Sequence, residues 1–162
     1  DPWSDRFGRG YHIIQSFIAF KLGGMLGAGL GSGTQKIKRL PEPHTDFIYA
    51  VIAEEAGLLG TFSILILYLL FFYFGVKIAL KAPDEYGRLL AMGLTLLITV
   101  QAFLNISVVI GLLPTTGIPL PFISYGGSSL LVNMMATGIL LNISKYREVV
   151  PRDIKFDKEV LV

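Results

Sequence analysis

The chain has 162 residues, of which 52% are hydrophobic and 16% charged, and its formal net charge is +2. Soluble domains carry about a quarter charged residues, so the composition indicates a membrane protein, and so small a net charge does not argue for nucleic acid as a partner. The sequence contains no cysteine, which excludes disulfides, thiol catalysis and thiolate metal sites.

The first part of the chain is only moderately apolar. It starts without an initiator methionine or a signal-peptide pattern, and we expect it to belong to a longer protein. Residues 11–30, YHIIQSFIAFKLGGMLGAGL, carry His12, Gln15 and Lys21 and end in glycines, which favours a helix in the membrane interface followed by a loop. The glycines of GAGLGSG do not match the dinucleotide-binding pattern GxGxxG, and they predict either a flexible hinge or close backbone packing.

A basic cluster follows the glycines, formed by Lys36, Lys38 and Arg39. Two interpretations stay open. The cluster is either an ordinary solvated loop or an anion site at the outer membrane surface, where these cations would meet a lipid-linked phosphate or pyrophosphate.

The next stretch, LPEPHTDFIYAVIAEE over residues 40–55, places charged groups on both sides of a short apolar run. Thr45 or Asp46 can cap a helix that continues past Glu54 and Glu55, and a plain N-cap is the alternative to a functional role for Asp46. Two carboxylates just inside an apolar segment cost several kcal/mol each unless they are paired or hydrated. The candidate substrate-binding residues of this stretch are Glu42, His44, Glu54 and Glu55.

A hydrolase-type carboxylate pair does not fit this spacing. Asp46 and Glu54 are eight residues apart, about 12 Å of helical rise, whereas the paired carboxylates of glycoside hydrolases are about 5–9.5 Å apart. A lone carboxylate base beside basic residues fits better.

Three apolar runs are long enough to cross a membrane. Residues 56–76 form an uncharged run of 21, and residues 89–144 contain no charged side chain, whereas a span needs about 20 apolar residues. Prolines and a glycine pair between 114 and 127 divide the longer run into 89–113 and 128–144. The sequence therefore predicts an all-α integral membrane protein, a polytopic helical bundle with a large outer loop and three transmembrane helices.

Basic residues in the connection after the first span and behind the third span place both segments in the cytoplasm by the positive-inside rule. The predicted order is an outer loop over 1–45 with an interfacial helix and a Gly-rich segment, a transmembrane helix with its outer end over 46–80, a cytoplasmic loop over 81–88, a transmembrane helix over 89–113, an outer Pro/Gly loop over 114–127, a transmembrane helix over 128–144 and a cytoplasmic tail over 145–162.

The Pro/Gly loop contains TGIPLPFISYGGSS, which is uncharged and longer than a turn requires. It is either a tight turn or an irregular segment that protein buries or that lines a cavity, and its candidate substrate-binding residues are Ser124, Tyr125 and Ser128. Gln101 and Asn105 share a helix face in the second span, and such groups join helices more often than they bind substrate.

Three motifs resemble one known family: LPEPHTDFIYAVIAEEAGLLG, NISVVIGLLPTTGIPLPFISYGGSSL and the leading DPWSDRFGRGYHIIQS. They look like the SEDS membrane proteins, the FtsW, RodA and SpoVE group, and the resemblance runs from residue 1 to about Tyr146. The later motifs are more similar to FtsW or SpoVE than to RodA. Tyr49 stands where the family motif HTDFIF has phenylalanine, Ala56 where the family has leucine, and Ser107 where it has glycine. None of these changes touches a proposed catalytic group.

The resemblance implies ten transmembrane helices, of which this chain would hold the large outer loop and the last three. It implies polymerisation of lipid II into glycan strands on the outer face of the bacterial cytoplasmic (inner) membrane during cell division. The implied partners are a class B penicillin-binding protein that crosslinks the strands and other membrane proteins of the divisome, within a lipid bilayer.

The resemblance also implies an inverting glycosyl transfer in which Asp46, the aspartate of the HTD motif, is the general base. The basic cluster would steady the leaving pyrophosphate, as would a divalent cation, Mg or Mn, although the sequence shows no closed metal site. Two other functions stay open: a lipid II flippase or transporter, which intramembrane polar groups and broken helices also suit, and a non-catalytic membrane scaffold of the cell-wall machinery.

Overall fold

The structure, a computed structural model, describes residues 10–29, 46–114 and 116–146. These ranges form four helices and no strand: α1, Gly10–Gly23; α2, Ile48–Leu80; α3, Glu85–Val109; and α4, Gly127–Tyr146. Helices α2, α3 and α4 are long and apolar enough to cross a membrane. The predicted all-α membrane fold class is therefore confirmed.

The helix bounds differ from the predicted ones, which followed the limits of the uncharged runs. Helix α3 lies four residues earlier at both ends than the predicted 89–113. Its start is fixed by Asp84, whose carboxylate accepts a hydrogen bond from the backbone N–H of Gly87 at 2.7 Å. Helix α4 exceeds the predicted 128–144 by one residue at its start and two at its end. The connection between α2 and α3 is correspondingly shorter than the predicted 81–88.

Helix α2 is broken, which the sequence did not predict. Gly57 has φ 64° and ψ −159°, a non-helical conformation that separates a short piece over 48–56 from a long piece over 58–80. A side chain at this position would overlap the backbone nitrogen of Gly27. Glycine therefore meets two requirements here, a positive φ and the close approach of another backbone.

The glycine-rich segment after α1 supplies the hydrogen bonds that the broken helix lacks. The backbone N–H groups of Ala28 and Gly29 donate to the carbonyls of Glu54 at 2.8 Å and Glu55 at 3.2 Å. In return, the N–H groups beyond the break, those of residues 58 and 59, donate to the carbonyls of residues 24 and 25 at 3.0 and 3.4 Å. Of the two predicted roles for the glycines of GAGLGSG, the structure shows close backbone packing for Gly27 and Gly29, and the other two glycines lie outside the described residues.

A side chain also bridges the break. The hydroxyl of Tyr49, in the short piece, donates to the backbone carbonyl of Thr61 in the long piece at 3.2 Å. A straight helix would separate these residues by about 18 Å of rise, so the bond requires a sharp bend at Gly57. The hydroxyl that distinguishes this chain from the phenylalanine of the family motif thus has a structural partner.

The break also decides which part of α2 is suited to a membrane. Residues 58–80 form an uninterrupted helix of about 34 Å, enough for a hydrocarbon core of about 30 Å. Glu54 and Glu55 belong to the short piece, outside this long apolar helix. The carboxylates therefore do not have to lie in the span.

The Pro/Gly connection between α3 and α4 is attached to both α2 and α3. Gln101 of α3 donates through Nε2 to the carbonyl of Pro119 at 3.0 Å. The hydroxyl of Tyr68, buried on the long piece of α2, donates to the carbonyl of Pro121 at 2.5 Å. Residues 116–126 are therefore an irregular segment that is hydrogen-bonded to two helices, and not a tight turn. Leu120 of this segment is 1% exposed and belongs to the main apolar cluster.

Substituting Gly27 should disrupt the joint between the glycine-rich segment and α2. Gly27 has φ 84°, and an added Cβ would overlap the backbone carbonyl of Glu55. We expect Gly27→Ala to lower the free energy of unfolding by about 1–3 kcal/mol. The matched control is Gly93→Ala, at a helical position with no atom within 4 Å of the added Cβ, which should be neutral or stabilising by up to about 1 kcal/mol. Thermal unfolding in detergent measures both, and equal midpoints would contradict the prediction.

Tyr68→Phe should loosen the Pro/Gly connection, because it leaves the buried carbonyl of Pro121 without this donor. We expect a loss of about 1–3 kcal/mol in unfolding free energy. Tyr73→Phe is the control, since Tyr73 is on the same helix, is 59% exposed and keeps its ring contact with Phe74. A Tyr68→Phe protein as stable as the Tyr73→Phe protein would rule out the proposed contribution of this bond.

Candidate functional site

Asp46 lies two residues before the first residue of α2 and is partly buried. The N-cap position of α2 belongs to Phe47, which makes no side-chain capping hydrogen bond, and the Phe47 carbonyl accepts the first helical hydrogen bonds from the N–H groups of Ala50 and Val51. The cap position that the sequence assigned to Thr45 or Asp46 therefore falls to Phe47. Asp46 precedes it.

The backbone around Asp46 is held from the side of α3. Asn105, 2% exposed, donates through Nδ2 to the Asp46 carbonyl at 2.8 Å and to the Ile118 carbonyl at 2.7 Å. One amide thus joins the start of α2 to the Pro/Gly connection. The sequence predicted that Asn105 joins helices, whereas both of its acceptors lie outside helices, so Asn105 joins α3 to two irregular segments.

The carboxylate of Asp46 lies against the same connection. A Cβ added to Gly117 would be 3.4 Å from Asp46 Oδ2, an ordinary van der Waals distance. Phe47, Tyr49 and Ala50, which follow Asp46, are buried in the main apolar cluster with exposures of 8%, 5% and 0%. Asp46, a partly buried residue, is therefore attached directly to the main apolar cluster, and its carboxylate lies beside the Pro/Gly connection.

Glu54 and Glu55 lie at the far end of the short piece of α2. The Glu54 residue is 1% exposed, and Gly23 of α1 is packed so closely against Ala53 and Glu54 that an added Cβ there would contact their backbones. Glu55 is partly buried. Both are about 12 Å of helical rise or more from Asp46. Among the described residues no group of three or more His, Cys, Asp or Glu side chains is arranged to hold a metal ion.

The three candidates in the Pro/Gly connection differ in their surroundings. Ser124 is 9% exposed, and its Oγ accepts a hydrogen bond from the N–H of Leu120 at 2.8 Å while its own N–H donates to the Leu120 carbonyl at 3.0 Å. Ser124 therefore closes the turn over residues 120–124. Tyr125 is 83% exposed, and Ser128 is exposed in the first turn of α4.

The remaining site candidates, Lys36, Lys38, Arg39, Glu42 and His44, lie outside the described residues. The sequence did not identify the contact between Asp46 and the Pro/Gly connection, since Asn105 and Gly117 are 59 and 71 positions further along the chain. The four-residue spacing of Gln101 and Asn105 was the available signal, and it did not name their partners.

The family model FTSW_RODA_SPOVE, described as "Cell cycle protein", matches residues 1–149. Among curated proteins, the chain is 54% identical to the probable peptidoglycan glycosyltransferase FtsW of Geobacter metallireducens over 89% of its own length and 38% of the relative's. It is 51% identical to the stage V sporulation protein E of Bacillus subtilis over 90% of its own length and 40% of the relative's. It is also 48% identical to the peptidoglycan glycosyltransferase MrdB of Escherichia coli K12, over 95% of its own length and 42% of the relative's.

Two solved structures share the fold. One, described as "Structural coordination of polymerization and crosslinking by a peptidoglycan synthase complex", matches with a TM-score of 0.71 at 34% identity over 91% of this chain and 39% of the matched chain. The other is an Asp-to-Ala mutant of the rod shape determining protein RodA of Thermus thermophilus, with a TM-score of 0.61 at 36% identity over 64% of this chain and 35% of the matched chain.

The chain therefore spans about two fifths of the length of the curated relatives it matches. The match covers residues 1–149, which include all four described helices, and the helices themselves agree with the membrane class that the composition predicted. This chain is a multi-pass membrane protein segment that belongs to the FtsW/RodA/SpoVE (SEDS) family.

Proposed function

We propose that the protein containing this chain is a peptidoglycan glycosyltransferase that polymerises lipid II, with Asp46 as the general base. The observation that carries the proposal is the position of Asp46, a partly buried residue just before α2. Its backbone carbonyl accepts a hydrogen bond from Asn105, and its carboxylate lies beside the Pro/Gly connection. Relatives named as peptidoglycan glycosyltransferases support the reaction class.

In the proposed reaction, Asp46 accepts the proton of the acceptor sugar hydroxyl while the hydroxyl oxygen attacks the anomeric carbon of the donor. The bond from that carbon to the lipid pyrophosphate breaks, and the pyrophosphate leaves with the bonding electrons. Attack opposite the leaving group inverts the anomeric configuration. Partial burial of Asp46 suits this role, because water stabilises the charge of a fully hydrated carboxylate and so makes it a weak base.

The leaving pyrophosphate needs positive charge. The proposal assigns this task to Lys36, Lys38 and Arg39, which follow the glycine-rich segment in sequence. That segment is bonded to α2 through the carbonyls of Glu54 and Glu55. We propose that Glu42, His44, Glu54, Glu55, Ser124, Tyr125 and Ser128 border the substrate, and that this side of the protein is extracytoplasmic, on a bacterial cytoplasmic membrane.

The cellular role and partners follow from the same comparisons. Relatives named FtsW are among the most similar proteins, which supports a role in cell division. The structural match to a peptidoglycan synthase complex supports assembly with a class B penicillin-binding protein, alongside other divisome membrane proteins. A lipid II transporter is the second candidate, since the broken α2 is a feature that transporters also use.

Asp46→Asn tests the proposed base. The substitution keeps size and most polar contacts but removes the basic carboxylate, so we expect glycan polymerisation to fall by about 10²–10⁴-fold. The assay follows labelled lipid II on gels with the full-length protein and a penicillin-binding partner that lacks a glycosyltransferase of its own. The control is Asp84→Asn, which keeps a good N-cap on α3 and should retain activity within about twofold.

Folding and partner binding are measured for both variants by thermal unfolding and co-purification. Normal polymer length with Asp46→Asn would exclude Asp46 as the base. If the wild-type protein makes no polymer but moves lipid II across vesicle membranes, the transporter function replaces the enzyme.

A further inference from the structure

Asn105 makes a connection that the proposed reaction does not yet explain. Its Nδ2 carries two hydrogens, and both are used, one toward the Asp46 carbonyl at 2.8 Å and one toward the Ile118 carbonyl at 2.7 Å. The two acceptors lie on different segments, and neither belongs to a helix. A single side chain of α3 thus holds two irregular stretches of backbone together.

The orientation of this amide is fixed by its partners. Rotating the amide by 180° would place Oδ1 against two carbonyl oxygens, so the nitrogen must face them. Oδ1 then points away from both carbonyls, and it is buried with no hydrogen-bond partner among the described residues.

The two bonds fix one particular separation. Ile118 follows Gly117, and the backbone of Gly117 lies beside the Asp46 carboxylate. A Cβ built on Gly117 would be 3.4 Å from Asp46 Oδ2. The Nδ2 of Asn105 donates to both the Asp46 carbonyl and the Ile118 carbonyl. These two bonds determine how closely the Asp46 carboxylate approaches the Pro/Gly connection. Gln101, one turn earlier on α3, donates to the Pro119 carbonyl at 3.0 Å, and within the part of the chain that the structure describes it therefore contacts the connection and not Asp46.

We propose that Asn105 is a positioning residue for the glycosyl transfer: it registers the Asp46 carboxylate against the Pro/Gly connection so that the acceptor hydroxyl meets the base in reactive geometry. This inference rests on the proposed function. Binding of lipid II uses a much larger surface, so the loss of Asn105 acts on kcat and leaves KM nearly unchanged.

The test compares Asn105→Leu with Gln101→Leu in the full-length protein with its penicillin-binding partner, using labelled lipid II. Displacement of a reacting group by about 1 Å costs about 100-fold in rate, so we expect Asn105→Leu to lower kcat by about 100-fold with KM within twofold. Gln101→Leu should lower kcat by less than tenfold. Equal kcat values for the two variants would overturn the inference.

Hydrogen exchange supplies a readout that does not depend on activity. Asn105→Leu should increase exchange in two places, the backbone over residues 46–48 and the backbone over residues 117–120, whereas Gln101→Leu should increase it only in the second. If Asn105→Leu leaves residues 46–48 as protected as in the wild type, Asn105 does not hold Asp46. Asn105→Asp is a second variant of the same shape; an ionised carboxylate accepts hydrogen bonds but donates none, so both bonds are lost and kcat should fall at least as far as with Asn105→Leu. A wild-type kcat would count against the inference.

A double substitution separates positioning of the base from general stability. In the Asp46→Asn background no base remains to be positioned, so adding Asn105→Leu should lower the residual rate by less than threefold. A full 100-fold further loss would show that Asn105 acts elsewhere. If Asp46→Asn alone keeps wild-type activity, the proposed base fails; if it is inactive while Asn105→Leu matches Gln101→Leu, the base stands and only the positioning role fails.

Discussion

The site depends on one constraint: backbone N–H and C=O groups that are buried away from water must find hydrogen-bond partners within the protein. At Gly57 the regular hydrogen-bond pattern of helix α2 is interrupted, and backbone N–H and C=O groups on both sides of the break lack partners within the helix. The segment after α1 satisfies them in both directions, with Ala28 and Gly29 as donors and residues 24 and 25 as acceptors. A bend that would be costly by itself becomes a joint between two elements.

The same constraint operates at the other end of the short piece of α2. Where the chain enters this piece, the Asp46 carbonyl is satisfied by Asn105, which also satisfies the Ile118 carbonyl. The nine residues between the N-cap and the break are therefore fixed at both ends by other parts of the chain. The Tyr49 hydroxyl adds a third attachment, across the break to Thr61. A residue at the start of this piece is held far more firmly than a loop residue would be.

The architecture also accounts for the charged groups that flank the apolar run FIYAVIA. Asp46 and Glu54 lie at opposite ends of the short piece, and the long piece that follows carries no carboxylate. The break thus separates the short piece of α2, which is flanked by carboxylates and fixed at both ends, from the long apolar piece. Hydropathy alone does not distinguish the two pieces. In the proposed enzyme, this separation keeps Asp46 outside the long apolar helix.

The sequence by itself determined the helical class, the three apolar helices and the candidacy of Asp46, because hydropathy and a long motif are local properties of the chain. It also identified Asn105 as a polar group on a helix face, since four-residue spacing is local too. Only the tertiary structure decided the break at Gly57 and the contact between Asp46 and the Pro/Gly connection. Both depend on contacts between backbone atoms of segments that are tens of residues apart. Backbone carbonyl and N–H groups are nearly the same in every residue, so the pattern of side chains does not predict which of them will pair.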